Sequence, residues 1–335
     1  MTFKTQFGSI IQSNFKPAVL FRHPHVQTIF PKYTIKTVKL SLVRERITTP
    51  DNDFIDVDWM LPGSPKAMVV LFHGLEGSSN SHYIQHLLAE LKKREIAAVV
   101  MHFRGCSGET NLTTRAYHSG ATFDPLFFLP LVKQRYPALK LFAVGFSLGG
   151  NMLMKLLASA EYKAQADIVE GSVCVSAPLN LSASAKAIND GFSKVYQAHL
   201  MKSMKRNLLE KINKVDFSGA LSVDASDITK MQTFREFDQH ITAPLHGFKG
   251  ADDYYTCCSA IYDLPEITTP TLIIHAADDP FMNENVIPDK KLISQNIAYE
   301  LSEHGGHVGF MNNVFGPNKL YLPQRVSDFV EEQLC

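Results

Sequence analysis

The chain has 335 residues, 45% hydrophobic and 20% charged, which is long enough for a single α/β domain carrying insertions. Lys+Arg and Asp+Glu are both 33, so no global charge points to nucleic acid or to an anionic membrane surface. The five cysteines (Cys106, Cys174, Cys257, Cys258, Cys335) are odd in number and lack a C-x-x-C, which argues against a disulfide framework or zinc ribbon and for reduced, mostly structural thiols.

Met1 to Ile10 has no sustained apolar region, and no stretch approaches 18 apolar residues. Neither a signal peptide nor a stable membrane insertion is expected, and the expected location is cytoplasmic. Residues 1–35 read as an N-terminal arm. Its His23 and His25 are a weak metal pair without a nearby third ligand, so a packing role is expected and no metal is assigned. Thr37 to Thr48 and Phe54 to Met60 alternate as two strands, joined as a hairpin by Asp51-Asn-Asp53.

Ala67 to Phe72 is a continuous apolar run, the pattern of a strand buried on both faces. It ends in His73-Gly-Leu-Glu-Gly-Ser78, a glycine-containing loop suited to supply an oxyanion N–H from Leu75. Ser81 to Arg94 is an amphipathic helix, and Ala97 to Met101 is the next strand. That strand leads into His102-Phe-Arg-Gly-Cys-Ser-Gly108, where Arg104 is expected to pin the loop by ion pairs rather than orient a substrate. Phe123 to Tyr136 reads as a helix.

Leu141 to Val144 is an apolar strand running into Gly145-Phe-Ser-Leu-Gly149, and a helix-favouring run, Met152 to Ala158, follows. Strand, G-x-S-x-G and helix together are the context of a nucleophile elbow. The glycines two before and two after Ser147 remove Cβ atoms where strand and helix converge. Leu148, the residue after the serine, is the second candidate oxyanion donor. Phe146, His73 and Gly74 flank these loops and are candidate substrate-binding residues.

After the strand Gly171 to Ala177, residues 181–245 read as a mainly helical cap inserted into the sheet. Its Met201, Met204, Phe192, Tyr196, Phe234 and Phe237 are either an acyl-pocket lining or, as is commoner, the cap's own core. The sheet resumes at Thr271 to Ile274, which ends in Asp278-Asp279-Pro280, and at Ile297 to Leu301, which ends in His304-Gly-Gly-His307. A last helix runs around Gln324 to Gln333.

Alternating strands and helices predict a mostly parallel, doubly wound sheet with antiparallel strands at its N-terminal side. Ser147, Asp278/Asp279 and His304/His307 then lie at carboxyl ends of strands, where such sheets place their working sites. A serine hydroxyl needs a base, and the base needs an acid to fix its tautomer. His307 is assigned as the base because Gly305-Gly306 frees its backbone to bend, with His304 the alternative. Asp279 is preferred to Asp278 because Pro280 makes it the last residue before the loop turns.

The chain resembles the α/β-hydrolase superfamily and, within it, the YheT-like branch of esterases, related to abhydrolase-domain lipid hydrolases. The resemblance rests on His23-Pro-His-Val-Gln-Thr-Ile29, His73-Gly-Leu-Glu-Gly-Ser78, Phe103-Arg-Gly-Cys-Ser-Gly-Glu109, Tyr117-His-Ser-Gly120, Gly145-Phe-Ser-Leu-Gly-Gly-Asn151, Asp278-Asp-Pro280 and Gly305-Gly-His-Val-Gly-Phe310. It implies a carboxylic-ester hydrolase with nucleophile Ser147, acid Asp279, base His307 and no cofactor, acting on a small ester with an apolar acyl group. It also implies that the arm packs near the site.

An acyltransferase or thioesterase would use the same triad, and a non-catalytic binding module on this fold has no reason to keep one. A haloalkane dehalogenase or epoxide hydrolase needs a carboxylate at position 147. A zincin-type metal hydrolase needs an H-E-x-x-H that is not here.

Overall fold

The computed structural model describes residues 5–38, 40–165, 168–315 and 319–334; Cys335 lies outside them. Among the described residues, nine strands form one sheet: β1 (Ser9–Gln12), β2 (Val43–Thr48), β3 (Phe54–Met60), β4 (Ala67–Phe72), β5 (Ala97–Met101), β6 (Lys140–Phe146), β7 (Gly171–Val175), β8 (Thr271–Ala276) and β9 (Ile297–Ser302). Their order is β1-β9-β8-β7-β6-β4-β5-β3-β2. The β2–β3 and β3–β5 pairs are antiparallel and the others parallel, as the sequence pattern predicts.

Helices α1 (Pro24–Thr34), α2 (His82–Lys93), α3 (Phe123–Arg135), α4 (Leu148–Ala158) and α5 (Ala160–Lys163) fall in the first half. The remaining helices are α6 (Leu181–Ala187), α7 (Ser193–Ile212), α8 (Ala225–Lys230), α9 (Phe234–Phe237), α10 (Ala243–Leu245), α11 (Ala251–Cys258) and α12 (Leu322–Glu332).

The central strands are buried on both faces, and the two-residue period divides them between two cores. From β4, Ala67, Val69 and Leu71 pack with Ile84, Leu87 and Leu91 of α2 and with Val326 and Phe329 of α12. Met68, Val70 and Phe72 pack on the other side with Phe128 of α3 and Met152, Leu153 and Leu156 of α4. Arg104 pins the hairpin, as expected: its buried guanidinium pairs with Asp51 at 2.8 Å, Asp53 at 3.1 Å and Asp124 at 2.6 Å. That ties the β2–β3 turn to the start of α3.

Three boundaries differ from expectation. The strand expected over Thr37 to Thr48 begins only at Val43, with Lys39 outside the described residues. The arm is not only an arm: β1 adds a parallel edge strand to β9, with Ser9 opposite Ala298 and Gln12 opposite Leu301. Four residues are too short to show a period, so only the long-range pairing defines this strand. The helical insertion between β7 and β8 runs past residue 245, because α11 packs Tyr254, Tyr255 and Cys258 against Leu181 and Ala243. The rest of the insertion has its own core of Met201, Leu208, Phe217, Ile228, Met231, Phe237 and Ile241. None of Cys106, Cys174, Cys257 and Cys258 is in a disulfide. Among the described residues, no helix is long and apolar enough to cross a membrane.

Candidate active site

Ser147 sits between the end of β6 and the start of α4 with φ 52° and ψ −121°. Such a left-handed backbone at a non-glycine residue costs of order 1–3 kcal/mol and persists where the surroundings enforce it. The enforcing contacts are visible. A Cβ on Gly145 would come within 2.4 Å of Gly149 O, and one on Gly149 within 2.5 Å of His73 O. The Ser147 N–H donates to Val175 O at 2.8 Å, while its carbonyl accepts from Gly150 and Asn151 at 2.9 and 3.1 Å. Its side chain caps no helix N–H and is left to face the cavity.

His307 Nε2 lies 3.0 Å from Ser147 Oγ, and Nδ1 lies 2.9 Å from Asp279 Oδ2. An ionised carboxylate only accepts, which puts the ring proton on Nδ1 and leaves Nε2 facing the hydroxyl. The other oxygen of Asp279, Oδ1, accepts the Phe281 N–H at 2.9 Å, and the Phe281 ring stacks on the His307 ring at 3.9 Å and 4°. Asp278 does not reach the ring. Its Oδ1 accepts from the Gly306 N–H at 2.9 Å, burial pushes its carboxyl up, and His304 lies beside it at 3.5 Å.

The histidine loop is fixed from three directions. The His307 N–H donates to Thr28 Oγ1 at 3.0 Å, and the Val308 N–H to Ser176 Oγ at 3.2 Å. Gln27 accepts from the Met311 N–H at 2.6 Å and donates to Met311 O at 3.0 Å. Helix α1 comes so close that a Cβ on Gly306 would meet Pro24 O at 2.6 Å. The arm's motif is therefore a support for the histidine loop. His25 is turned to the cap, 3.0 Å from the Tyr196 hydroxyl. Thr28 and Gln27 were not singled out by sequence reasoning, because nothing local in Gln-Thr announces a partner almost 280 residues away.

Leu75 and Leu148 both line the cavity that holds Ser147 and His307, and among the described residues neither N–H has a hydrogen-bond acceptor. The N–H groups beside Leu75 are both occupied: Gly74 donates to the Tyr83 hydroxyl and Glu76 to the Tyr117 hydroxyl, each at 2.9 Å. The cavity holds about 120 Å³. Its further lining includes Met204, Phe234, Leu181, Ile188 and Tyr255.

The cap's candidates thus divide: Met204 and Phe234 line the cavity, whereas Met201 and Phe237 fill the cap's core. Asp238, which the sequence analysis did not flag, also lines it. Its carboxyl accepts from the Thr242 and Tyr255 hydroxyls, and burial pushes it up to about 6. A larger cavity of about 510 Å³ lies on the other side of Leu75 and Tyr117 and includes neither Ser147 nor His307.

Three expected substrate-binding residues do not line the cavity. Phe146 alternates into the core shared with α2 and packs on Tyr83 at 4.8 Å. His73 is fully buried, 2.7 Å from Gly74 O through Nδ1 and accepting the Phe103 N–H at 3.2 Å; burial drives its pKa down to about 3. Gly74 passes beneath the serine, where an added Cβ would stand 3.2 Å from Ser147 Cβ. These residues shape the loops from behind. Among the described residues, no group of three or more His, Cys, Asp or Glu side chains is arranged to hold a metal.

A family model described as "Serine aminopeptidase, S33" matches residues 63–307, the span from β4 to the histidine. The chain belongs to the α/β-hydrolases. It falls in their YheT-like branch: over 326 residues it is 41% identical to the Escherichia coli protein named "Putative esterase YheT", covering 96% of this chain and 94% of that one. Human "Phospholipase ABHD3" is 25% identical over 332 residues, 96% of this chain and 80% of the relative. The esterase Pf2001 of Pyrococcus furiosus superposes with a TM-score of 0.58 over 98% of this α/β-hydrolase and 99% of its own chain. At 14% identity that likeness bears on the fold. The family is of the esterase and lipase type.

Proposed function

We propose that this α/β-hydrolase is a serine carboxylesterase acting on small esters with an apolar acyl group. Ser147 Oγ attacks the ester carbonyl while His307 Nε2 takes its proton. The Leu75 and Leu148 N–H groups hold the oxyanion. His307 then returns the proton to the leaving alkoxide, and water, deprotonated by the same ring, hydrolyses the acyl-enzyme. Asp279 holds the ring in the required tautomer throughout.

The observation that carries the reading is the single ring of His307 at hydrogen-bonding distance from both Ser147 and Asp279, in a cavity also lined by Leu75 and Leu148, whose N–H groups have no acceptor among the described residues. A binding module has no use for that alignment. The apolar lining from Met204, Phe234, Leu181 and Ile188 supports an apolar acyl group.

The test is labelling with a fluorophosphonate, followed by hydrolysis of p-nitrophenyl esters of increasing acyl length. Ser147 should carry the label, and Ser147→Ala should keep the melting temperature and lose turnover by about 10⁴-fold or more. Ester turnover by Ser147→Ala at the wild-type rate would falsify the mechanism.

A further inference from the structure

The loop that carries Leu75 contains a residue that its backbone alone would not choose. The Gly77 N–H donates to Gly74 O at 3.0 Å, closing a tight turn over residues 74–77. Its third position has φ +56°, a conformation favoured by glycine or asparagine, yet the residue is Glu76. Backbone strain of this kind is kept where the side chain is needed.

That side chain joins three elements. The Tyr117 hydroxyl donates to Glu76 Oε1 at 2.8 Å and accepts the Glu76 N–H at 2.9 Å, so one hydroxyl grips both the carboxylate and the peptide. Tyr117 is itself held by stacking on Phe103 at 5.1 Å and 7°. The second oxygen, Oε2, accepts from Asn207 Nδ2 at 2.6 Å, and Asn207 lies on α7 of the cap. Burial pushes the carboxyl up against the pull of these donors, and Glu76, Tyr117 and Asn207 together line one wall of the cavity of about 510 Å³.

With Gly74 tied to Tyr83 and Glu76 to Tyr117, the peptide between them is held on both sides, and the Leu75 N–H, which has no acceptor among the described residues, belongs to a residue that lines the cavity with Ser147. Resting on the serine-hydrolase reading, we propose that Glu76 is a positioning residue: it transmits the seating of cap helix α7, through Asn207, to the Leu75 oxyanion donor. The cap then does more than enclose the acyl group; its contact completes the oxyanion hole. An interaction of this kind acts on the transition state more than on substrate binding, because the donor must meet the oxyanion rather than the ground-state carbonyl.

The experiment uses the full chain and a short p-nitrophenyl ester, with a trifluoromethyl ketone as oxyanion-forming inhibitor. Asn207→Ala is expected to lower kcat about tenfold with KM within about twofold, and to weaken the ketone by the same factor as kcat/KM. Glu76→Ala should lower kcat about 100-fold, and Glu76→Gln, whose amide oxygen can still accept from Tyr117 while its NH2 donates to a flipped Asn207 amide, should recover most of it. The Glu76→Ala/Asn207→Ala double variant should be no slower than Glu76→Ala alone.

If Glu76→Ala does not fold, Asn207→Ala with the ketone series still decides. Wild-type kcat in Asn207→Ala overturns the proposal while leaving the serine-hydrolase reading intact. So does a loss confined to KM, or an additive double variant. A wild-type chain that neither labels with fluorophosphonate nor turns over ester removes both.

Discussion

Asp279–His307 and Asp58–His102 are aspartate–histidine pairs of nearly equal length, 2.9 and 2.8 Å, at the carboxyl-end loops and the antiparallel side of the same sheet. Their second ring nitrogens differ. Nε2 of His307 faces the Ser147 hydroxyl at a cavity wall, whereas Nδ1 of His102 is buried without a hydrogen-bond partner among the described residues. Asp58 also accepts from Arg44, and the His102 and Asp58 side chains are only 1% and 5% exposed. Burial pushes the Asp58 carboxyl up, but its donors His102, Arg44 and Ser79 outweigh that and hold it well below the usual carboxylate range. The same pair is thus a sealed tie in one place and, in the other, has a hydroxyl at its open end, the arrangement on which the proposed esterase mechanism rests. The pairing alone does not mark a site; what lies beyond the second nitrogen does.

The sharpest way to break this contrast is at the acids. Asp279→Asn should lower kcat by about 10⁴-fold through the wrong tautomer, and Asp278→Asn by less than about tenfold, in p-nitrophenyl ester kinetics. The reverse ranking would move the acid to Asp278. Asp58→Asn should do the opposite of Asp279→Asn. It leaves the buried His102 and the partly exposed Arg44 short of a charged acceptor, so denaturant unfolding should show a loss of about 1–3 kcal/mol, with kcat of the folded enzyme within about threefold of wild type.

Acidification tests the sealed imidazoles directly. Burial drives His73 down to about 3 and His275 to about 4. Both stay neutral in the fold, while the unfolded chain takes up protons near pH 6.5. Their contribution is therefore complete above that pH and is lost as pH falls towards 4, by up to about 1.4 kcal/mol per pH unit for each ring. Melting temperature measured from pH 7 to pH 4 should fall accordingly; a rise between pH 6 and 5 would contradict the neutral assignment. The smallest effect belongs to the stacked neighbour: Phe281→Leu loosens the His307 ring and should cost about three- to tenfold in kcat with little change in KM.

How much of this was legible follows from where each determinant lies. The elbow, the His73–Ser78 loop and the central strands are local. Their glycines and apolar runs carry their own steric and burial reasons, so the mostly parallel character of the sheet and the serine's position at a strand end could be read directly. Asp279 over Asp278 and His307 over His304 rested on single local cues, Pro280 and Gly305-Gly306. In the structure the second member of each pair makes the contacts, Asp279 to the His307 ring and that ring to Ser147, while Asp278 binds the Gly306 N–H.

The substrate-binding set was misread because proximity in sequence to a catalytic loop does not say which side of the sheet a side chain takes. Phe146 follows the strand's alternation into the core beneath α2, and His73 turns inward to satisfy a backbone N–H.

By itself, then, the sequence determined the α/β class, the elbow with its glycines and the candidates for nucleophile, acid and base, because these depend on neighbours within a few residues. The tertiary structure alone decided the parallel edge strand β1, the support of the His307 loop by Gln27 and Thr28, the full extent of the cap and the Glu76–Asn207 contact. All but the cap's extent are pairings across 130 or more residues. No local propensity or period encodes such a pairing; it exists only once the sheet has brought its two ends together.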